Sequence, residues 1–209
     1  MLHNLETLTG SSVTATDGEI GSIRNFLFDD ESWTIRYLVV DVGSWLTRRA
    51  VVLAITTVEQ PDWVKKTFPV HVTKEQVRNS PDVDSEKPVS RQQEIAMKEY
   101  FGWPAYWGGS ELGPLASLPA GREYPVHTEG DTHLRSAWDL AGYEVWATDG
   151  EIGRVAGFVM DDASWHLGYL DVKAGDWLKS RSVLVPTRWV NSLSWAEHRV
   201  DLHHAQERI

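Results

Sequence analysis

The sequence predicts a mainly β protein in which one module occurs twice. The first observation is a repeat at a fixed offset: Thr16-Asp17-Gly18-Glu19-Ile20-Gly21 recurs as Thr148-Asp149-Gly150-Glu151-Ile152-Gly153. The same offset of 132 residues, measured from Asp17 to Asp149, carries Asp29-Asp30 onto Asp161-Asp162, Trp33 onto Trp165, Trp45 onto Trp177 and Trp63 onto Trp195. A little under half of positions 8–63 are identical to their counterparts. The second observation is period-two hydrophobicity over strand-length segments between polar turns. A period this long means tandem globular units rather than a solenoid. Each unit is about 75 residues, small enough to need large aromatic side chains in its core. Eleven Trp, six of them in repeat-matched pairs, fit that need.

In the first unit, Ser12–Ala15 reads as a short strand running into a turn at Asp17-Gly18, because Asp-Gly between apolar flanks accepts turn dihedrals cheaply. Ser22–Phe28 is a second strand, and Asp29 to Ser32 a polar turn. Trp33–Val42 alternates Ile35, Tyr37 and Val39 against Arg36, Leu38 and Val40; the second face is only partly polar, which predicts a central strand. Residues 43–49 form a loop. Ala50–Ile55 is an apolar strand, and Trp63–Val72 a last strand bent near Pro69. Thr73 with Gln76 three residues later is a capping-box pattern for a short closing helix, stopped by Pro81. The second unit repeats the strands at Gly153–Met160, Trp165–Val172 and Ser182–Val185. It opens with a helical turn capped by Ser136 or Asp139 and ended at Gly142, and its closing helix is cut short at Ile209. The predicted organisation is a first domain at 1–80, a linker at 81–132 and a second domain at 133–209. The linker holds a helix at 90–100, capped by Ser90, and an aromatic segment at 103–107.

Bulk properties narrow the function. A net charge of −10 and a pI near 5.2 oppose binding to phosphate backbones. Cysteine is absent, which removes disulfides, thiol nucleophiles and thiolate clusters. No stretch reaches the roughly eighteen apolar residues of a membrane helix, and the N-terminus lacks signal-peptide features; a cytoplasmic location is the expectation.

Three stretches, Ala15–Gly21 (ATDGEIG), Ile35–Asp41 (IRYLVVD) and Lys74–Pro81 (KEQVRNSP), resemble the PRC-barrel family, and Tyr100–Trp107 (YFGWPAYW) is similar to its bacterial tandem form. The resemblance covers roughly 3–107 and 133–209. It implies two tandem PRC-barrel-like small β-barrels, each with a short closing helix. It implies no catalytic motif and no cofactor. Relatives include the cytoplasmic domain of the photosynthetic reaction-centre H subunit and the C-terminal domain of a ribosome-maturation factor, both adaptors to larger assemblies. The resemblance therefore implies a non-enzymatic adaptor that binds a protein or macromolecular assembly. A small-ligand or ion sensor using an inter-barrel groove is the alternative, and an accessory role in photosynthetic-type electron or proton transfer a weaker one.

Among candidate residues, Trp45 with Arg49 and Trp177 with Arg181 stand out. They flank the loop before an apolar strand, and Trp and Arg dominate interface hot spots. A Trp folded over a barrel mouth and stacked on Arg is the competing explanation, and contact between the two loops, within the chain or in a homodimer, a third. Asp29, Asp30, Asp161 and Asp162 are weaker candidates for cation binding or proton relay, against an ordinary hairpin turn. Asp17 with Glu19, and Asp149 with Glu151, supply too few oxygens for a calcium loop and read as turns. His71, His198, His203 and His204 lack the spacing of a zinc motif. Trp103, Tyr106 and Trp107 read as a staple for the linker rather than a ligand platform.

Overall fold

The computed structural model describes residues 1–43, 49–81, 91–103, 134–174 and 181–209. The strands are β1 (Leu2–Asn4), β2 (Ser12–Ala15), β3 (Gly18–Asp29), β4 (Thr34–Val42), β5 (Arg49–Ala54) and β6 (Thr67–Pro69), followed by helices α1 (Lys74–Arg78) and α2 (Arg91–Phe101). The second repeat supplies β7 (Leu134–Ser136), β8 (Glu144–Ala147), β9 (Gly150–Asp161), β10 (Leu167–Ala174), β11 (Arg181–Pro186), β12 (Val190–Ser194) and β13 (Arg199–Leu202). They form two sheets. One runs β5-β4-β3-β2-β6, the other β11-β10-β9-β8-β13-β12. In both, the hairpin strands are antiparallel and the late strand, β6 or β13, returns parallel to β2 or β8.

The predicted hairpins are present, with shifted boundaries. The first turn is Thr16-Asp17, and Gly18 already pairs with Ala15. The strand expected over Trp63–Val72 shrinks to Thr67–Pro69, joined by single bridges Val58–Val70 and Asp62–Thr67. Lys66, at a φ of 53°, turns the chain sharply there. The capping box on α1 is complete: Gln76 N–H donates to Thr73 Oγ1 at 3.2 Å and Thr73 N–H to Gln76 Oε1 at 2.8 Å. The second repeat has Ala205 where Thr73 stands and makes a single 3₁₀ turn, Gln206–Arg208. The opening of that repeat is a run of turns held by Ser136 Oγ, which accepts from the N–H groups of Trp138 and Asp139 at 3.1 and 3.3 Å. Of the linker, α2 falls where a helix was expected; Ser90, its expected cap, lies outside the described residues, as do Tyr106 and Trp107.

The Asp-Gly-Glu-Ile-Gly motif combines a turn with a bulge. Val13 faces Gly21 and Thr14 faces Glu19, so Ile20 is the extra residue; Ile152 takes the same place between Glu151 and Gly153. The bulge presses the backbone at Gly21 against the neighbouring strand, and a Cβ there would sit 1.9 Å from the Asp41 carbonyl oxygen, or 2.0 Å from that of Lys173 at Gly153. Only glycine fits at these two positions.

The repeats exchange their first strands. β1, the first strand of the first repeat, pairs with β9 of the second, and β7, the first strand of the second, pairs with β3 of the first. The registers are equivalent: Leu2 faces Asp161 and Leu134 faces Asp29. At the centre of the seam, Thr34 bridges its own counterpart His166. Ile35 N–H donates to the Trp165 carbonyl at 2.9 Å and Leu167 N–H to the Trp33 carbonyl at 2.7 Å. These reciprocal pairs define a local pseudo-twofold relation between the repeats.

Rings fill the seam: Phe28 lies 5.9 Å from Phe158 and 5.5 Å from Trp33, and Trp165 lies 5.9 Å from Trp63 and 6.4 Å from Phe68. Trp33 and Trp165 hold φ values of 53° and 56°. Such a conformation costs a non-glycine residue about 1–3 kcal/mol, which burial of a large apolar ring, worth about 2–3 kcal/mol, offsets.

Gly21→Ala is expected to cost on the order of 3 kcal/mol or more, read as a lower denaturant midpoint. Because the first strands are exchanged, the described parts of both repeats are expected to melt in one transition, with equal calorimetric and van 't Hoff enthalpies. Two resolved transitions would contradict the seam.

Candidate functional site

The turn carboxylates that open each repeat act inside the fold. Asp17 Oδ1 accepts the Lys74 N–H at 2.8 Å, and Asp149 Oδ1 the Gln206 N–H at 2.9 Å. Each Asp thus ties its hairpin to the first N–H of the closing helical turn, a group with no partner inside the helix. Glu19 and Glu151, two residues on, point elsewhere: each lines a groove.

The two grooves are repeat-related. The first encloses about 400 Å³ among Glu19, Ile20, Val42, Gly43, Arg49, Lys74, Val77 and Arg78. The second encloses about 380 Å³ among Glu151, Ile152, Ala174, Arg181, Ser182, Val183, Gln206 and Ile209. Six lining positions match at the repeat offset, including Glu19 with Glu151, Ile20 with Ile152 and Arg49 with Arg181. The floor follows from the bulge, which turns Ile20 and Ile152 out of the regular alternation. The ends of β4–β5 and β10–β11 form one wall, the closing turn the other.

Arg49 and Arg181 share a position but not a role. Arg49 donates to the carbonyls of Val77 (3.4 Å) and Arg78 (2.6 Å) and to that of Ser80, so its guanidinium holds the C-terminal end of α1. Arg181 is exposed at the groove rim. Trp45 and Trp177 lie outside the described residues; the strand ends on either side of them, Val42 and Arg49 in one repeat and Ala174 and Arg181 in the other, line the grooves.

The acidic turns sit elsewhere, on the seam. Asp29 Oδ1 accepts from the N–H groups of Glu31 and Ser32, and Asp161 Oδ1 from those of Ala163 and Ser164 and from the Ser164 hydroxyl. Their neighbours reach across. Asp30 pairs with Arg135 at 3.2 Å, and Asp162 with His3 at 3.1 Å and with the Met1 amino group. The same cross-seam side chains cover matching tryptophans: His3 stacks on Trp63 at 4.2 Å, and the Arg135 guanidinium lies 4.4 Å above Trp195. Four carboxylates considered for cation binding or relay are therefore engaged by their own chain. The Ser164 hydroxyl and N–H hold Asp161 below the usual carboxylate range, and the Met1 amino group, followed by His3, does so for Asp162.

The histidines do not converge. His71 contacts Glu59 at 3.4 Å, His198 stacks on Tyr143 at 4.8 Å, and His204 meets the Trp189 ring edge-on beside His203. Burial lowers the His204 pKa, with Arg208 and His203 adding to the effect. Among the described residues, no group of three or more His, Asp or Glu is gathered as a metal would require. Trp103 is buried against Tyr37 and stacked on Phe101 at 4.2 Å; Tyr106 and Trp107 lie outside the described residues.

A further cleft of about 440 Å³ escaped the repeat comparison. Arg135, Asp139, Tyr143, Arg154, Trp195 and His198 line it, and burial pushes both the Asp139 carboxyl and the Tyr143 hydroxyl up. Thr7, Ser11 and Lys66 stand at the positions of Asp139, Tyr143 and His198 in the first repeat. Its sequence signal is divergence between the copies rather than identity.

The family model described as PRC-barrel domain matches residues 3–77. No curated protein matches the chain.

Arg49→Ala is expected to cost about 1–3 kcal/mol by leaving the α1 carbonyls uncapped, whereas Arg181→Ala leaves stability within about 0.5 kcal/mol; denaturant titration of both variants checks the contrast. Asp161 and Asp162 are depressed in the folded state, so their stabilisation is present above the ordinary carboxylate value of 3.8 and is lost as pH falls through the folded values. The Asp161→Asn/Asp162→Asn protein should therefore lose less Tm than the wild type between about pH 5 and pH 2.

Proposed function

Starting from the membership of residues 3–77 in the PRC-barrel family, we propose that this chain is a non-enzymatic adaptor made of two PRC-barrel-like units in tandem. It binds a protein or a macromolecular assembly through the grooves lined by the strand ends that flank, in sequence, Trp45 and Trp177. The observation that carries this reading is the matched pair of grooves, one per repeat, with Glu, Ile and Arg at equivalent lining positions and a Trp-Leu pair in the segment next to each. An apolar floor with a charged rim is the anatomy of a protein contact, and a neighbouring Trp is the side chain most often found to dominate one. The net charge of −10 favours basic partners at the encounter stage.

A small-molecule ligand in the same grooves is the second reading. Their volumes, about 400 and 380 Å³, fall within the roughly 300–1,000 Å³ typical of ligand sites. The seam between the repeats supports it less, because rings fill that space and its carboxylates are already paired.

The Trp45→Ala/Trp177→Ala protein is expected to keep the wild-type Tm and to lose capture of the partner in a pull-down with proteomic readout. Undiminished capture by the double variant rejects the groove assignment. A Tm rise with a single metabolite, and no partner enriched by the wild type, shifts the reading to the small ligand.

A further inference from the structure

The two sheets differ on one outer face. In the first repeat, Tyr37 faces Ala54 and Val39 faces Val52 across β4 and β5. All four are buried, with Val39 at 0% and Val52 at 1% exposure. Helix α2 packs on this face at Tyr37: the Tyr37 hydroxyl donates to the Glu94 carboxylate at 3.1 Å, the Trp103 ring lies 6.3 Å from that of Tyr37, and Glu94 and Met97 are each 2% exposed.

The second repeat preserves the geometry and changes the cover. Tyr169 faces Pro186 and Asp171 faces Leu184 in the same register. Leu184 is 49% exposed where Val52 is sealed. Asp171 replaces Val39 at the centre of the face; its Oδ1 accepts from the Ser182 hydroxyl, and it has no cationic partner among the described residues. A strand pair with tyrosine and leucine on its outer face, whose twin packs a helix, is built to pack one as well. The one substitution at its centre selects the charge of the cover.

We propose that the outer face of β10–β11 docks an amphipathic helix of a partner protein, with a Lys or Arg among its apolar residues to meet Asp171. The proposal rests on the adaptor reading and adds a second surface to it, separate from the grooves. The helix lies as α2 does on β4–β5, with its apolar side on Leu184 and Tyr169. The carboxylate, which α2 would bury without a counter-charge, is neutralised by the incoming cation. Leaving either charge unpaired would be costly, so the pairing sets specificity more than affinity.

The probe is a synthetic helical peptide with the sequence of residues 91–103 and Glu94→Lys, titrated into the full-length protein by ¹⁵N NMR. The expected result is saturable shifts centred on Tyr169, Asp171 and Leu184. Binding should weaken roughly tenfold or more with Leu184→Asp, and comparably with Asp171→Lys. The unaltered peptide, carrying Glu94, should bind more weakly than the Lys form. Both protein variants alter exposed or half-exposed positions and are expected to keep the wild-type Tm. Three results would overturn the proposal: no saturable shifts at millimolar peptide, shifts confined to β4–β5, or equal affinity for the Leu184→Asp protein. Self-association of the wild type that Leu184→Asp abolishes would assign the face to a second copy instead, and likewise overturn it. Failure here together with loss of partner capture in the Trp45→Ala/Trp177→Ala protein would leave the adaptor reading standing and remove only this surface.

Discussion

Two reciprocal backbone hydrogen bonds, from Ile35 to Trp165 and from Leu167 to Trp33, organise everything else in the molecule. They require both tryptophans to turn at positive φ, and the turns bring rings from both repeats into one core. They also set the far ends of β3 and β9 beside the opposite repeat. Each of these strands is twelve residues long, and its first part pairs with its own hairpin partner. The last residues run past that hairpin and would leave an open edge, a liability for aggregation. The exchanged strands β7 and β1 close it. Ring burial contributes about 2–3 kcal/mol per fully buried side chain, and the cross-seam ion pairs lie partly buried beside the rings. The pairs Asp30–Arg135 and Asp162–His3 select the register of a seam that apolar contacts hold together.

That division of labour bears on function. The acidic turns are the most conspicuous polar feature shared by the copies, and the fold uses them to fasten one repeat to the other. The first turn acid of each repeat is similarly committed, to the closing helical turn. Among the described residues, the fold leaves open the grooves flanked by the bulge and the closing turn, the cleft at Asp139 and Tyr143, and the outer face of β10–β11. Duplication supplies two versions of each surface, and divergence then sets them apart. Lys74 gives the first groove a basic lining residue where Gln206 stands in the second. Arg49 fastens α1 while Arg181 stays at the rim. One β4–β5-type face packs α2 at Tyr37 while the other exposes Leu184.

Local order was legible in the sequence because it depends on residues a few positions apart. The hairpins announced themselves through alternation and the Asp-Gly turn, α1 through Thr73 and Gln76, and the duplication through a constant offset. The PRC-barrel match at 3–77 agrees with the resemblance those segments carry. The strand over Trp63–Val72 was overdrawn because its apolar residues are satisfied by packing on the seam, with Trp63 stacked on His3, rather than by a continuous ladder. β1 and β7 were missed because three-residue strands carry almost no periodic signal.

The sequence by itself determined that the chain holds two copies of one β-rich unit, where their turns lie and how the first closing helix is capped. Only the tertiary structure decided that the copies trade their first strands, that Asp30 meets Arg135 and Asp162 meets His3, that Arg49 is a cap, and that α2 packs on one of two equivalent faces. The reason is physical. Turns and caps are fixed by dihedral preferences and hydrogen bonds within a few residues. Pairing between segments more than a hundred residues apart depends on which edges and apolar faces remain uncovered once those local pieces have formed, and no local pattern records that.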